Sequence, residues 1–129
     1  MKLPILLALT AAVCGIALAE DKQPVVFHVD PAAAEKLLAD GKIIVLDVRT
    51  PSEFSRGHIA GAKNIDFNAN DFAAKAATLD RSQSYIVHCA AGGRSTNSLP
   101  VLEKLGFISI YHLDGGFNGW QDAGKPVVK

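Results

Sequence analysis

The sequence predicts an α/β fold with a mainly parallel sheet covered by helices on both faces. Apolar runs rich in β-branched residues alternate with helical segments along the chain, which is the pattern of parallel strands joined by helices. One of these runs, KIIVLDV at 42–48, is apolar almost throughout, as is typical of a central strand buried on both faces. Clusters of turn-forming residues separate the segments.

The first two elements are predicted to be a strand and a helix. VVFHV at 25–29 is a short apolar run. Asp30 is the expected N-cap of the helix, Pro31 occupies its first position, and Gly41 ends it. The central strand at 42–48 then begins, so these segments form one β-α-β unit.

A second unit follows a long connection. RTPSEFSRGHIAGA at 49–62 is rich in turn formers and predicts a loop. KNIDF at 63–67 is a short strand candidate. NANDFAAKAATL at 68–79 starts with Asn and Asp and is rich in alanine, which indicates a helix.

Cys89 is predicted to lie at a turn between a strand and a helix. SYIVHC at 84–89 is an apolar strand, and the residues from Ser95 to Leu105 are helical in pattern. Gly106 ends that helix. Pro100 lies within it, and because proline removes a backbone hydrogen bond we expect the helix to bend after its first turn.

The C-terminal part is predicted to add one more strand and a short helix. FISIYHL at 107–113 is the strand, and DGGFNGWQDAGKP at 114–126 indicates a turn, a short helix and an irregular tail.

The N-terminus has the pattern of a secretory signal peptide. Lys2 precedes an apolar run at 3–19 that ends in Ala17-Leu18-Ala19, a small-x-small cleavage site. A membrane anchor is the first alternative, but the run is short and lacks stop-transfer charges. Acylation of Cys14 as a lipoprotein is the second, and the size of Val13 disfavours it. We therefore expect residues 1–19 to be cleaved and the protein to be periplasmic.

Size and charge limit the remaining classes. Of the 129 residues, 110 remain after cleavage at Ala19, which suffices for one compact domain at 20–129. The whole chain carries 13 basic and 13 acidic residues without a basic block. We therefore expect no nucleic-acid partner, and no membrane partner after cleavage.

The cysteine count draws attention to Cys89. The sequence has two cysteines, and Cys14 lies within the predicted signal peptide. Cys89 is then alone in a compartment where thiols tend to be paired. It is a small buried hydrophobe, a site of intermolecular bridging, or a reactive thiol.

The residues after Cys89 favour a reactive thiol. At the end of a parallel strand, a small-residue loop and a helix start direct backbone N–H groups at the sulfur, and this setting lowers a thiol pKa. Gly92 and Gly93 let the loop curl, and Arg94 supplies a positive charge for an anionic substrate. The alternative is an ordinary buried strand end followed by a turn.

The four histidines do not indicate a base or a metal centre. His88 is adjacent to Cys89, and because neighbouring strand residues point to opposite faces we expect it to pack behind the loop. His28, His58 and His112 show no ligand spacing with one another or with Cys89, so no metal site is expected.

Three ordered motifs resemble those of single-domain rhodaneses, which are sulfurtransferases. They are VLDVRTPSEFSRGHIAGAKNI at 45–65, CAAGGRS at 89–95 and GGFNGWQDAGKPV at 115–127. The resemblance implies a five-stranded parallel sheet between helices, with Cys89 as the nucleophile that carries sulfur. It also implies transfer of sulfane sulfur from thiosulfate, or a related small anionic donor, to cyanide or a thiol through a Cys89 persulfide, without a cofactor.

The resemblance also assigns supporting positions. Asp47, Arg49 and Glu53 are expected to form an ion-pair and hydrogen-bond frame near the loop. His58, Gly61 and Trp120 match positions that we interpret as packing. The residues expected to contact substrate are the rest of the loop: Ala90, Ala91, Gly92, Gly93, Arg94 and Ser95.

Loop length distinguishes the chemistries associated with this resemblance. Cys89 and Arg94 form C-x4-R, the form associated with sulfur transfer, whereas related phosphatases and arsenate reductases have C-x5-R. The shorter ring of N–H groups suits one sulfur atom and the longer ring a tetrahedral oxyanion. The main alternative function is a periplasmic sulfur carrier or binding module that delivers sulfur to a protein partner.

Overall fold

The structure is a computed structural model that describes residues 23–129. The predicted signal peptide at 1–19, including Cys14, lies outside the described residues. Among residues 23–129, no helix has the length and apolar character needed to cross a membrane.

In residues 23–129, five parallel strands form one sheet in the order β1-β5-β4-β2-β3. The strands are β1 (Val25–Val29), β2 (Ile43–Asp47), β3 (Lys63–Asn64), β4 (Ser84–His88) and β5 (Ser109–Leu113). The predicted α/β fold with a five-stranded sheet is confirmed. β4 is the middle strand and is paired on both sides, so the loop that follows it emerges at the centre of the sheet's carboxyl edge.

Within the described part of the chain, five helices connect and cover the strands. They are α1 (Pro31–Ala39), α2 (Pro51–Ser55), α3 (Phe72–Ala76), α4 (Gly93–Lys104) and α5 (Gly116–Asp122). Alternation along the strands divides the core into two clusters. Leu46 and Val87 pack with residues of α3 and α4, whereas Val45 and Ile86 pack with residues of α1 and α5. Helices therefore cover both faces of the sheet.

Local sequence signals explain where α1 begins. The Asp30 carboxylate accepts a hydrogen bond from the Ala33 N–H at 2.8 Å, and Pro31 occupies the first turn. Both features were predicted. The helix ends at Ala39, two residues before Gly41, which has a φ of 69°.

Helix α2 replaces part of the predicted loop at 49–62. Thr50 and Glu53 form a capping box: the Glu53 N–H donates to Thr50 Oγ1 at 3.2 Å, and the Thr50 N–H donates to Glu53 Oε1 at 3.2 Å. Pro51 occupies the first turn. The sequence Thr50-Pro-Ser-Glu53 carries this signal, but turn formers on both sides obscured it.

Helix α4 begins two residues earlier than predicted and continues through Pro100 to Lys104. Gly92 precedes it with a φ of 119°, a conformation that favours glycine. Leu99 and Leu102 pack into the core on either side of the exposed Pro100. The proline therefore does not end the helix, and the predicted bend stays a prediction.

Candidate active site

Cys89 lies between the end of β4 and the start of α4, in the segment 89–95 that we call the cysteine loop. Its residue surface is 1% exposed. The sulfur accepts a hydrogen bond from the Gly92 N–H at 3.0 Å and one from the Ser95 hydroxyl at 3.3 Å. Cys89 forms no disulfide within the described residues. The loop thus curls so that donors converge on the thiol.

This donor set favours the thiolate. Burial raises the pKa of Cys89. Hydrogen bonds from the Ser95 hydroxyl and from the backbone N–H groups of Ser95, Gly92 and Ala91 together lower it by more than burial raises it. The net pKa lies below the ordinary value of 9.0. Because thiolate is the nucleophilic form, the loop prepares Cys89 for attack on an electrophilic atom.

Ser95 connects the thiol to the neighbouring strand. Its Oγ lies 2.7 Å from Nε2 of His112 on β5, and both residues are buried. When the His112 Nε2–H donates to Ser95, the single hydroxyl proton is shared between two acceptors, Cys89 Sγ at 3.3 Å and the Gly92 carbonyl oxygen at 3.2 Å. Sequence reasoning did not find this contact, because it depends on the placement of α4 beside β5.

Arg94 and Glu53 form an ion pair at the side of the loop. Arg94 Nη1 lies 2.6 Å from Glu53 Oε1, and Nη2 lies 3.0 Å from Oε2. The hydrogen bond from Arg94 is the main reason that the pKa of Glu53 falls to about 2, while the pKa of Arg94 is raised. Arg94 was predicted to bind a substrate anion. In the structure, its guanidinium is already paired with the Glu53 carboxylate.

Asp47 and Arg49 form a second pair beneath the loop. Arg49 donates from Nε to Asp47 Oδ1 at 3.0 Å and from Nη2 to Asp47 Oδ2 at 2.7 Å. Nη2 also donates to the Gly57 carbonyl at 2.8 Å, and the guanidinium carbon lies 4.0 Å from the centre of the Phe117 ring. Both charged side chains are buried, so they act as a fixed support between α2 and α5.

His88 lies behind the loop. It is fully buried, its Nδ1 is 2.9 Å from the Cys89 carbonyl, and its Nε2 is 3.7 Å from Asp47 Oδ2. Burial lowers the pKa of His88. Its ring faces Phe117 on the opposite side of the sheet from the Cys89 cluster, so it does not reach the thiol.

Helix α5 supports the loop through the backbone. The Phe117 N–H donates to the Cys89 carbonyl at 2.8 Å, and the Asn118 N–H donates to the Ala90 carbonyl at 3.0 Å. A Cβ on Gly116 would stand 2.6 Å from the Ala90 carbonyl oxygen. Only glycine allows this close approach, which is the reason for a glycine in the C-terminal motif.

The other predicted packing residues lie away from the thiol. His58 stacks on Phe54 with ring centres 3.7 Å apart, and Gly61 is a turn residue with a φ of 77°. Trp120 is buried and donates from its indole to the Pro126 carbonyl at 2.8 Å.

A polar pocket of about 240 Å³ opens beside Ala90. Its charged lining residues are Arg49, Glu53 and Arg56. Arg56 bonds only the Ser52 hydroxyl, at 3.2 Å, and forms no ion pair within the described residues. A larger cavity of about 470 Å³ is mostly apolar and lies between α1, β2 and Trp120, away from the cysteine loop.

The remaining loop residues lie around the mouth of the site. Ala91 and Gly93 are exposed, and Ala90 is half-buried beside the polar pocket. Their small size leaves the approach to the loop open.

Comparisons with known proteins agree with this geometry. A model of the family described as "Rhodanese-like domain" matches residues 30–123. The thiosulfate sulfurtransferase GlpE of Ectopseudomonas mendocina is 35% identical over 95 residues, which cover 73% of this chain and 84% of that protein. The chloroplastic thiosulfate sulfurtransferase 16 of Arabidopsis thaliana is 34% identical over 92 residues, covering 64% of this chain and 77% of that protein.

Solved structures give the same result. A rhodanese-related protein from Thermoplasma volcanium superposes with a TM-score of 0.71 at 33% identity, covering 79% of this chain and 97% of that one. The resemblance drawn from the three sequence motifs is thereby confirmed. With its parallel five-stranded sheet and its cysteine loop after the central strand, the chain belongs to the rhodanese family of sulfurtransferases.

Proposed function

We propose that this chain is a thiosulfate sulfurtransferase that works through a persulfide on Cys89. The observation that carries the proposal is the sulfur of Cys89, which accepts hydrogen bonds from the Gly92 N–H at 3.0 Å and the Ser95 hydroxyl at 3.3 Å. These donors stabilise a thiolate before the reaction and the terminal sulfur of a persulfide after it.

The first half-reaction loads the sulfur. The Cys89 thiolate attacks the outer sulfur of thiosulfate, so that a bond forms between Sγ and that sulfur. The bond from that sulfur to the sulfonate group breaks, and sulfite leaves with the electron pair. Because Cys89 is 1% exposed, the site suits a small donor whose reacting sulfur projects beyond its charged group.

The second half-reaction unloads it. Cyanide or a small thiol attacks the terminal sulfur of the persulfide, a new bond to that sulfur forms, and the bond to Sγ breaks. The Cys89 thiolate is regenerated, and thiocyanate or a new persulfide leaves. Two half-reactions on one nucleophile predict double-displacement kinetics.

The polar pocket beside Ala90 supports recognition of an anionic donor. Two of its charged lining side chains, Arg49 and Arg56, are cationic. Asp47 neutralises Arg49, whereas Arg56 keeps its charge available for an incoming dianion. Arg94 would contribute as a fixed positive charge next to Glu53.

The proposal includes export to the periplasm. Its support is the apolar run that ends in Ala17-Leu18-Ala19, and the proposed mature domain covers residues 20–129. Sequencing the N-terminus of the exported protein would give Glu20. A first residue of Met1, or an acylated Cys14, would contradict cleavage at Ala19.

Intact mass measurement tests the chemistry. Incubation with thiosulfate should add one sulfur atom to the protein, and cyanide should remove it and produce thiocyanate. Cys89→Ser should remain folded, take up no sulfur and form no thiocyanate. Sulfur uptake by the folded Cys89→Ser variant would show that another group carries the sulfur.

A further inference from the structure

His28, His112 and Asp114 meet at one end of the sheet beside the cysteine loop. His28 on β1 and His112 on β5 are directly paired in the strand register, and Asp114 follows β5. One potential ligand atom from each residue lies within 4.8 Å of the other two. Sequence spacing could not show this group, because 83 residues separate the two histidines and only the strand order brings them together.

Two of the three distances within the group fit a tetrahedral ion. Asp114 Oδ1 lies 3.2 Å from His28 Nδ1 and 3.5 Å from His112 Nδ1. Nitrogen and oxygen ligands at about 2.0–2.2 Å from a tetrahedral centre stand about 3.3–3.6 Å from each other. The third distance, between the two histidine nitrogens, is no more than 4.8 Å. The His28 side chain is 58% exposed, so its ring has room to turn until this distance also fits.

His112 supplies an independent indication of a ligand. The residue is 4% exposed, and within residues 23–129 its buried Nδ1 has no hydrogen-bond partner, although Asp114 Oδ1 lies 3.5 Å away. Buried polar atoms are normally satisfied, so this nitrogen is an exception that a ligand would explain. A hydrogen bond between His28 and Asp114 accounts for those two residues but leaves His112 Nδ1 without a partner among the residues that the structure describes.

The second nitrogen of His112 is already held in the manner of a metal ligand. Its Nε2 lies 2.7 Å from Ser95 Oγ. A histidine that binds a metal usually donates its other N–H to a neighbouring acceptor, which fixes the tautomer and the ring orientation. Ser95 is such an acceptor, and it leaves Nδ1, which lies 3.5 Å from Asp114 Oδ1, as the ring nitrogen available to a ligand.

We propose that His28, His112 and Asp114 bind a divalent transition ion of the zinc class. Two imidazole nitrogens and one carboxylate oxygen form the protein part of the site, and water completes the coordination from the exposed side of His28 and Asp114. The ion would be separate from Cys89 but connected to it: with a metal on Nδ1, the ring proton of His112 is on Nε2 and is donated to Ser95, whose hydroxyl contacts the thiol.

Cobalt(II) is a suitable probe, because its visible absorption reports coordination geometry. The untagged full chain would carry Cys14→Ser and Cys89→Ser, so that no thiol can bind the metal. We expect one equivalent of cobalt to give the strong visible bands of a tetrahedral ion, and one equivalent of zinc to displace it. No readout depends on enzyme activity.

Substitutions at the exposed ligands give the decisive comparison. In the same background, His28→Gln and Asp114→Asn should each weaken cobalt affinity at least tenfold, since each removes one of three protein ligands. Both side chains are 58% exposed, and unchanged melting temperatures would verify that the fold is kept. His58→Gln is the matched control, because the Nδ1 of His58 is bonded to the Phe54 carbonyl outside the group, and it should bind cobalt as the parent does.

Two results would overturn the proposal. One is cobalt affinity in the parent that is no greater than in the combined His28→Gln, Asp114→Asn variant. The other is an equal loss of affinity in His58→Gln, which would indicate unspecific binding to histidine.

Discussion

Arg94 is held by Glu53 through two hydrogen bonds, with Nη1 to Oε1 at 2.6 Å and Nη2 to Oε2 at 3.0 Å. The same Glu53 closes the capping box of α2 with Thr50. One carboxylate thus joins the start of α2 to the cysteine loop. It also places a negative charge next to the arginine that was predicted to attract the substrate anion.

Glu53→Gln should therefore lower the KM for thiosulfate. Glutamine keeps a capping-box side chain but removes the negative charge, so the charge of Arg94 acts more fully on the donor. We expect a fall in KM of about threefold to tenfold, which corresponds to ~1 kcal/mol. Arg94→Ala should raise KM. Steady-state kinetics at low ionic strength would measure both.

A neutral reagent separates charge from loop shape in these variants. Alkylation of Cys89 by iodoacetamide should change little in Glu53→Gln, because that reagent has no charge to be attracted. If alkylation and thiosulfate turnover change by the same factor, the ion pair acts by holding the loop in shape.

Arg56→Ala should weaken donor binding without altering the thiol. Arg56 is exposed at the polar pocket, and its only hydrogen bond among the described residues goes to Ser52 Oγ at 3.2 Å. Loss of its charge should raise the KM for thiosulfate about tenfold and leave iodoacetamide alkylation unchanged. Arg81→Ala is a matched control, since Arg81 bonds the Leu105 carbonyl away from the pocket. An equal effect of both variants would exclude a local role for Arg56.

The sequence predicted the sheet and the position of Cys89 but not the contacts that tune the site. Unbroken apolar runs such as 42–48 and 84–89 identify buried strands, because parallel strands hide both faces. Strand order cannot be derived from such runs. The structure brings Cys89, Arg94 and the small loop residues together. Their predicted roles in the reaction, as nucleophile and as substrate-binding residues, stay predictions.

Two contacts of the site illustrate what the sequence leaves out. The pairing of Arg94 with Glu53 spans 41 positions and depends on the unpredicted helix α2. The contact of Ser95 with His112 depends on how α4 lies beside β5. Both are products of tertiary packing, which spacing along one chain does not encode.

Ser95→Ala should move the pH profile of Cys89 upward. The folded pKa of Cys89 lies below its ordinary value of 9.0, and the Ser95 hydroxyl is the main group that lowers it. Without that hydroxyl the thiolate fraction at neutral pH falls, so alkylation should slow about tenfold for each unit of pKa shift. Above both pKa values the two proteins should react at similar rates. Iodoacetamide kinetics across pH 5 to 10 would measure the midpoints.

Ser98→Ala is the control for this comparison. Ser98 is also buried in α4, but its hydroxyl donates to the Ser95 carbonyl at 2.6 Å rather than to the thiol. Its midpoint should match that of the native protein. The shift should also appear in stability: because ionised Cys89 favours the folded state, the native protein should gain stability over Ser95→Ala as the pH rises from the folded pKa towards 9.0. An unchanged midpoint in Ser95→Ala would rule out its role in tuning the thiol.

Asp47→Ala should strongly destabilise the fold. It leaves Arg49 buried, 4% exposed, without its carboxylate, and breaking a buried ion pair in this way costs about 3–5 kcal/mol. Lys125→Gln breaks the Lys125–Glu35 pair, whose side chains are 22% and 47% exposed, and should cost less than about 1 kcal/mol. Urea unfolding of both variants would measure the difference. Similar small losses would show that Arg49 finds another partner or solvent.

Gly116→Ala should disturb the cysteine loop from the opposite side. Gly116 has a φ of 60°, and a Cβ there would lie 2.6 Å from the Ala90 carbonyl oxygen and 2.7 Å from the Cys89 carbonyl oxygen. Those backbone atoms cannot move without shifting the loop that holds the sulfur. Gly61→Ala is the matched control, because Gly61 has a φ of 77° but its Cβ would meet nothing within 4 Å.

The two glycine variants separate backbone strain from collision with the loop. Both add the strain of a left-handed alanine, about 1–2 kcal/mol. Gly116→Ala should lose further stability and should lower the sulfur-transfer rate at least tenfold, because the donors to Cys89 no longer converge on its sulfur. Gly61→Ala should keep the native rate. Melting temperatures and thiocyanate formation would be measured on both variants, and a native rate in Gly116→Ala would show that α5 does not set the position of the loop.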